Sequence, residues 1–340
     1  MSDTSPPAAR PARGAAVLLL GAVALIVVVV GGIGLGARDI APWDTVRILL
    51  HPDAQGYNAH VLWTERIPRT LLAVLVGAAL GGSGMIMQAL TMNPLADPGI
   101  LGVEQGAALF VVCGVLFLDL NDAHDYFWLA LAGAAVSALL VYTIGVRANT
   151  GSATLGLVLA GVAVAALTVS VITLLVVRDE AAFAQLRFWS VGQLTGRADV
   201  LDDILPFAAV GLLAALPLGR TLNVLGLGAD TATGLGVNVA RARLVGAAIG
   251  VLLCAAATAA VGPVAFVGLV GAHTARLLVG PDHRWSLPMS MVCGAVLLCA
   301  ADIAGRLAGG DGEVQVGVMT AVIGTPFFVW LARRADLVRV

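Results

Sequence analysis

Arg66 and Arg69 flank Ile67-Pro68 at the head of an apolar run and bring two guanidinium groups within one helical turn of each other. Paired arginines grip carboxylates through bidentate forks, while single arginines at a helix end also snorkel to an interface, and charge alone favours the second use. Asp302 and Arg306 stand four residues apart, the spacing at which an acid and a base share one helix face and pair. Glu104 sits near the start of another apolar run, where an ionisable group marks a functional position unless water or an arginine neutralises it. His273 and Arg276 share one helix face, a pattern that packing or an interface explains better than a metal ligand set.

Other chemistries are excluded. All 19 basic residues are arginine, so the chain has neither the lysine of a phosphate-cradling P-loop nor an amine for a Schiff base, and it is not expected to hydrolyse ATP itself. Cys113, Cys254, Cys293 and Cys299 lie inside apolar runs without CxxC spacing and read as small hydrophobes. Glycine clusters at Gly31 to Gly36 and Gly226 to Gly228 come after no strand, which removes a dinucleotide site. No Ser/His/Asp or HExxH arrangement is present, and a net charge of -2 provides no footprint for nucleic acid.

The elements that hold these residues can be read from composition. Of 340 residues, 59% are hydrophobic and 12% charged, about half the charge fraction of a soluble domain, so the chain belongs in a bilayer. A crossing helix needs about 20 mostly apolar residues. Ten apolar runs are found, at roughly 15–35, 70–90, 99–118, 126–146, 153–177, 203–219, 244–261, 263–280, 287–305 and 315–332. The first is read as a retained helix after a cytoplasmic tail of residues 1–14, because no convincing signal-peptide cleavage site comes after it. Residues 15–340 then form a single transmembrane domain with both termini on one side. With the N-terminus inside, eleven arginines fall inside and eight, including Arg38, Arg66, Arg69, Arg178, Arg197 and Arg306, fall outside. That bias is modest and makes both termini cytoplasmic.

Two breaks between runs are structured. Asn93-Pro94-Leu95-Ala96-Asp97-Pro98-Gly99 holds two prolines and a glycine, which forbid a continuous helix, and Asp97 is placed to cap the third apolar helix. The stretch 225–237 is mildly apolar and bracketed by glycines. Asp230 or Thr231 can start a short helix there and Gly236 can end it, giving a small-residue surface suited to a groove on a soluble partner.

Taken together, the chain resembles permease subunits of the ATP-binding-cassette importers that carry iron-siderophores, haem and cobalamin, the FecCD/BtuC-like family. The resemblance runs from about Arg66 to Arg334. It is carried by Arg66 to Leu72, Gln88 to Val103, Leu227 to Val237, Gly262-Pro263 with Phe266 to Val270, and Gly324 to Phe328. It implies an all-α integral membrane protein with about ten transmembrane helices in the BtuC-like type II importer permease fold. It also implies a second permease subunit, two ATPase subunits inside that carry the ATP and magnesium, and a substrate-binding protein outside. The same resemblance implies localisation to a bacterial plasma membrane.

By position, Arg66, Arg69 and Arg306 match arginines that meet acidic residues of the binding protein. Gly228, Ala229, Asp230, Thr231, Ala232, Leu235 and Gly236 match the coupling helix that sits in the ATPase groove. Asn93, Pro94, Asp97, Pro98, Gly99 and Glu104 form a pathway or structural loop. This chain departs from the family at Ala229 and Thr233, where glutamate and arginine are common, at Ala272 and Gln315, which replace prolines, and at Glu104, which replaces a small polar residue. Gln185 to Trp189, Asp230 to Thr233, Asp282 to Pro288 and Asp302 to Arg306 resemble ferric-enterobactin permeases more than cobalamin ones. They point to a ferric siderophore as cargo and to a paralogous second permease, with haem or cobalamin as the alternative. An ion-driven secondary transporter is a weaker alternative, since it calls for ionisable groups at mid-membrane, where Glu104 stands alone.

Overall fold

The computed structural model of the chain describes residues 11–36, 40–51, 56–120, 122–147, 153–177, 179–309 and 312–333. Residues 1–10 of the predicted tail, together with Arg38, Arg178, Arg334 and Arg339, lie outside the described residues. The regular secondary structure is all helix, without a strand among the described residues.

The helices in order are α1 (Pro11–Gly34), α2 (Pro42–Leu50), α3 (Tyr57–Val61), α4 (Ile67–Thr91), α5 (Val103–Leu118), α6 (Ala123–Arg147), α7 (Ala153–Val176) and α8 (Glu180–Trp189). They continue as α9 (Leu201–Ala215), α10 (Leu218–Leu225), α11 (Ala229–Gly234), α12 (Val239–Val261), α13 (Val267–Val279), α14 (His283–Ala308) and α15 (Val316–Ala332). Each predicted apolar run contains a helix, but their lengths differ and not all are continuous. Six helical segments are long and apolar enough to cross a membrane, and α9 with α10 forms a seventh that bends by 53°. The run predicted at 203–219 is therefore broken, and Pro217, which lacks an amide hydrogen to continue the ladder, sits at the break. Three apolar helices are shorter: α5 with 16 residues, α13 with 13 and α15 with 17.

Helix α4 is the core of the bundle and α1 its rim. Of the most apolar window in the α3–α4 segment 78% is buried, against 11% for α1, whose Leu19, Leu20, Val27 and Val30 face outward as a lipid-contacting surface would. Between α3 and α4 the backbone widens into a π-helical turn, Leu62–Arg66. Pro68 cannot donate to the preceding turn, and the wider turn accommodates it without ending the helix.

Small residues set how closely α4 meets its neighbours. A Cβ on Gly77 would lie 2.5 Å from the Gly294 carbonyl of α14, and one on Gly81 would collide with the Ser290 carbonyl. On the next turn a Cβ on Gly84 would lie 2.5 Å from the Gly268 carbonyl of α13. Backbone thus meets backbone on two sides of α4, the packing used where lipid gives no hydrophobic drive between helices. Cys254 and Cys299 are buried, Cys113 and Cys293 partly so, and all four are free thiols.

Candidate functional site

At one end of the bundle the predicted arginines do gather, but their side chains turn inward. The last carbonyls of α1 have no partner within that helix, and two guanidinium groups supply it. Arg66 donates from Nη1 to the Gly34 carbonyl at 2.9 Å and the Ile33 carbonyl at 3.3 Å. Arg306 donates from Nη1 to the carbonyls of Gly32 at 2.9 Å and Leu35 at 3.0 Å. Positive charge there also complements the negative end of the α1 dipole. Gly32 and Gly36 leave room for this approach, since a Cβ on Gly36 would lie 2.7 Å from an Arg66 nitrogen.

The Asp302–Arg306 pair forms as spaced, at 2.8 Å, and Asp302 takes a second cation. Arg69 donates to Asp302 Oδ1 from Nε at 2.9 Å and from Nη2 at 2.6 Å, and to Glu313 Oε2 from Nη1 at 2.6 Å. Glu313 Oε2 also accepts from the Thr195 hydroxyl at 2.8 Å. Burial opposes ionisation of Glu313, yet the hydrogen bonds from Arg69 and Thr195 hold its carboxyl below the ordinary range. Arg66, Arg69 and Arg306, the arginines that the resemblance assigns to docking, thus gather at one end of the bundle around Asp302 and the end of α1. Arg66 is 5% and Arg306 4% exposed, because both serve α1. Arg69 at 13% and Glu313 at 30% side-chain exposure are the charged groups of this cluster nearest to solvent. Sequence reading misses Glu313 and Thr195, which stand in breaks between runs and carry no local signal.

At the opposite end of α4 lies the segment from Asn93 to Glu104. Asn93 bends the chain, its side-chain oxygen accepting from the Leu95 amide at 3.0 Å. Asp97 accepts from the Gly99 amide at 2.9 Å and caps a 3-10 turn, Pro98–Leu101, in which Pro98 is buried. Burial raises the Asp97 carboxyl and the Gly99 amide lowers it, with a net upward shift. Gly99 separates two acids: a Cβ there would lie 3.0 Å from Asp97 Oδ1 and 3.4 Å from the Glu104 carboxyl carbon. Gly102 adopts φ +67, and its carbonyl accepts from the Ser137 hydroxyl of α6 at 2.8 Å, which pins the start of α5. The loop is tied to α13 as well. His273 Nε2 contacts the Pro94 carbonyl at 2.9 Å, and Arg276 donates to Gln88 Oε1 at 2.6 Å. His273 is thus a packing residue, as its spacing with Arg276 indicates.

Helix α11 lies between α10 and α12 and presents most of its surface to solvent. Gly228, at φ +98, precedes it, so the helix begins at Ala229 rather than at a cap on Asp230 or Thr231. It ends in a Schellman motif: Val237 donates to the Ala232 carbonyl at 3.0 Å and Gly236, at φ +82, to the Thr233 carbonyl at 2.9 Å. Ala232 is its buried anchor, while Ala229, Asp230, Thr231 and Gly236 are exposed. Leu227 and Leu235, 60% and 62% exposed, flank it as apolar side chains open to the outside. Behind it, α10 is fixed to α14, since Asn223 donates to Asp282 Oδ1 at 2.6 Å and accepts from the His283 amide at 2.8 Å.

The FecCD transport family profile matches residues 24–334 of this sequence. The chain belongs to that family. Among its relatives is the siderophore transport system permease YfiZ of Bacillus subtilis, 43% identical over 281 residues, 82% of this chain and 84% of that one. The ferric enterobactin transport system permease FepD of Escherichia coli is 40% identical over 301 residues, covering 88% and 90%. A solved structure described as an inward-facing metal-chelate type ABC transporter superposes with a TM-score of 0.81 at 26% identity, covering 94% of the FecCD chain and 99% of its own. FecCD relatives are transport permease subunits, and the helices of this chain suit a membrane.

Proposed function

We propose that this FecCD chain is the membrane-spanning permease subunit of an ATP-driven importer that moves a ferric siderophore from an external binding protein to the cytoplasm. Ten helices cross or enter the bilayer in this reading, with the three shorter apolar ones completing the set and both termini cytoplasmic in a bacterial plasma membrane. A second permease, a paralogue, completes the pathway, and two ATPase subunits carry Mg-ATP. No bond in the cargo is broken. The required physics is two packings of one bundle whose balance nucleotide and the docked binding protein both bias.

The observation that carries this reading is α11, a short helix standing clear of the bundle with two exposed leucines and backed by α10. Movement imposed on α11 has a solid route through the fold. Asn223 couples α10 to the start of α14, and α14, 26 residues long and so about 39 Å, ends in Asp302 and Arg306. One rigid element therefore joins the ATPase-facing surface to the cluster where the binding protein docks. In that cluster Arg69 and Glu313 are the groups available to a docking partner, and Arg66 and Arg306 support them from beneath. Glu104, beside Asp97, is the ionisable side chain assigned to the pathway.

Uptake of radioactive iron as several purified ferric siderophores, in cells with and without this chain, tests the reading, with labelled haem and cobalamin as controls. Loss for one siderophore supports it. Loss for haem or cobalamin alone keeps the architecture and replaces the cargo, and no loss for any of them removes the proposal. Glu104→Ala in the same assay changes uptake without loss of assembly, and unchanged uptake removes Glu104 from the pathway.

A further inference from the structure

A cavity of about 770 Å³ runs between α6 and α12 over a floor from α4. That volume falls within the range of about 300–1,000 Å³ typical of small-molecule pockets. Its walls are almost wholly apolar, formed by Leu139 and Val146 on one helix and Ala247 and Val251 on the other. It opens sideways, since Leu139 and Leu244 on its rims are 64% and 47% exposed. Two polar groups stand out near one end: Arg243, four residues into α12, and Tyr142, five residues before the end of α6. Neither side chain makes an ion pair or hydrogen bond among the described residues. Arg147, exposed as the last residue of α6, adds positive charge at the same end.

An apolar slot opening toward lipid, with an unused guanidinium near its end at interface depth, has the chemistry of one ligand class. We propose that this groove holds an acyl chain of an anionic phospholipid, with the phosphate on Arg243 and the glycerol region at the Tyr142 hydroxyl. The guanidinium fork matches phosphate oxygens, and tyrosine favours the depth of the lipid headgroups. Asp97 also lines the cavity, but its Oδ1 accepts from the Gly99 amide, so the phosphate takes the α12 side, away from that carboxylate. A helix from a second permease subunit would need its own carboxylate to meet Arg243, whereas anionic lipid supplies that charge from the bilayer.

The test uses the full chain, purified with its partner subunits and returned to nanodiscs containing a phosphatidylglycerol or a phosphatidylcholine with a photoreactive group in the acyl tail. Adducts are mapped by peptide mass spectrometry. Phosphatidylglycerol is expected to label residues 139–146 and 243–251 about fivefold more than phosphatidylcholine, the factor that one interfacial arginine contributes. Arg243→Gln removes the excess and Arg243→Lys keeps most of it. Ala247→Phe, which fills the slot, removes labelling by both lipids there. Adducts on the outward face of α1 at Leu19 and Leu20 stay constant and report that each variant is folded in the bilayer. Equal labelling by the two lipids, or an excess that survives Arg243→Gln, overturns the proposal. So does absent labelling with a crosslink from Leu244→Cys, alkylated with a photoreactive maleimide, to the second permease subunit, which gives the groove to that subunit.

Discussion

Arg306 donates to the carbonyl oxygen of Gly32 at 2.9 Å, although 274 residues separate them. The same guanidinium pairs with Asp302 at 2.8 Å, so one side chain both neutralises a buried acid and caps a helix. Asp302 in turn is 2% exposed and shared with Arg69. A network in which every member has two tasks does not tolerate loss of one.

Arg306→Ala is expected to cost about 3–5 kcal/mol, because it leaves Asp302 with Arg69 alone and the Gly32 and Leu35 carbonyls without their donor. Asp302→Asn destabilises in the same direction by leaving Arg306 buried beside Arg69. Thermal unfolding of the purified single and double variants measures the coupling, and strictly additive losses would mean that the two residues act independently.

Glycine substitutions divide by what surrounds them. Gly81→Leu forces α4 away from α14, because even a Cβ there collides with the Ser290 carbonyl, and folded protein is expected to be lost from detergent extracts. Gly234→Ala in α11 meets nothing within 4 Å, and alanine is the better helix former by about 1 kcal/mol. Monodispersity on size exclusion separates the two, and equal yields would contradict the packing of α4 on α14.

Leu235→Asp tests α11. The side chain is 62% exposed, so folding is expected to be unchanged while ATPase subunits fail to co-purify and uptake falls by tenfold or more. Normal co-purification with Leu235→Asp would remove α11 as the docking surface.

Asp282 governs the acid limit of the α10–α14 joint. The Arg284 guanidinium, helped by Asn223, holds its carboxyl down to about 2 against the opposing effect of burial. A folded-state value below the unfolded one means that the joint is stabilised at neutral pH and that the gain is lost as pH falls from about 4 toward 2. Solvent reaches the pair, so the effect is modest. Asp282→Asn flattens the dependence of the unfolding temperature across that window, and a curve identical to the wild type would contradict this assignment.

The sequence exposes the helices because a membrane chain must string apolar residues together, and each run from Val17 to Trp330 does so. Short amphipathic elements are less legible. Helix α2 announces itself only by Pro42 and Asp44 in its first turn, and α8 is too polar to register as a run. The stretch 225–237 is legible as a short helix from its glycines, yet the helix starts earlier than expected because Gly228 rather than Asp230 precedes it. The task of the arginines is hidden for another reason. Charge and position along the chain say that Arg66 and Arg306 are near a helix end, not that the carbonyls they serve belong to α1. Glu104 and Asp97 are visible as acids, but their proximity across Gly99 depends on a 3-10 turn that only the folded loop creates.

The capping of α1 also bears on how the protein is made. Arg66 is made 32 residues after Gly34, but Arg306 comes 274 residues after Gly32. Until Arg306 is made, the Gly32 and Leu35 carbonyls lack the donor it supplies, which an apolar environment penalises and water tolerates. Truncations before Arg306 are therefore expected to leave the end of α1 more accessible to water-borne reagents, with Arg66 alone capping it.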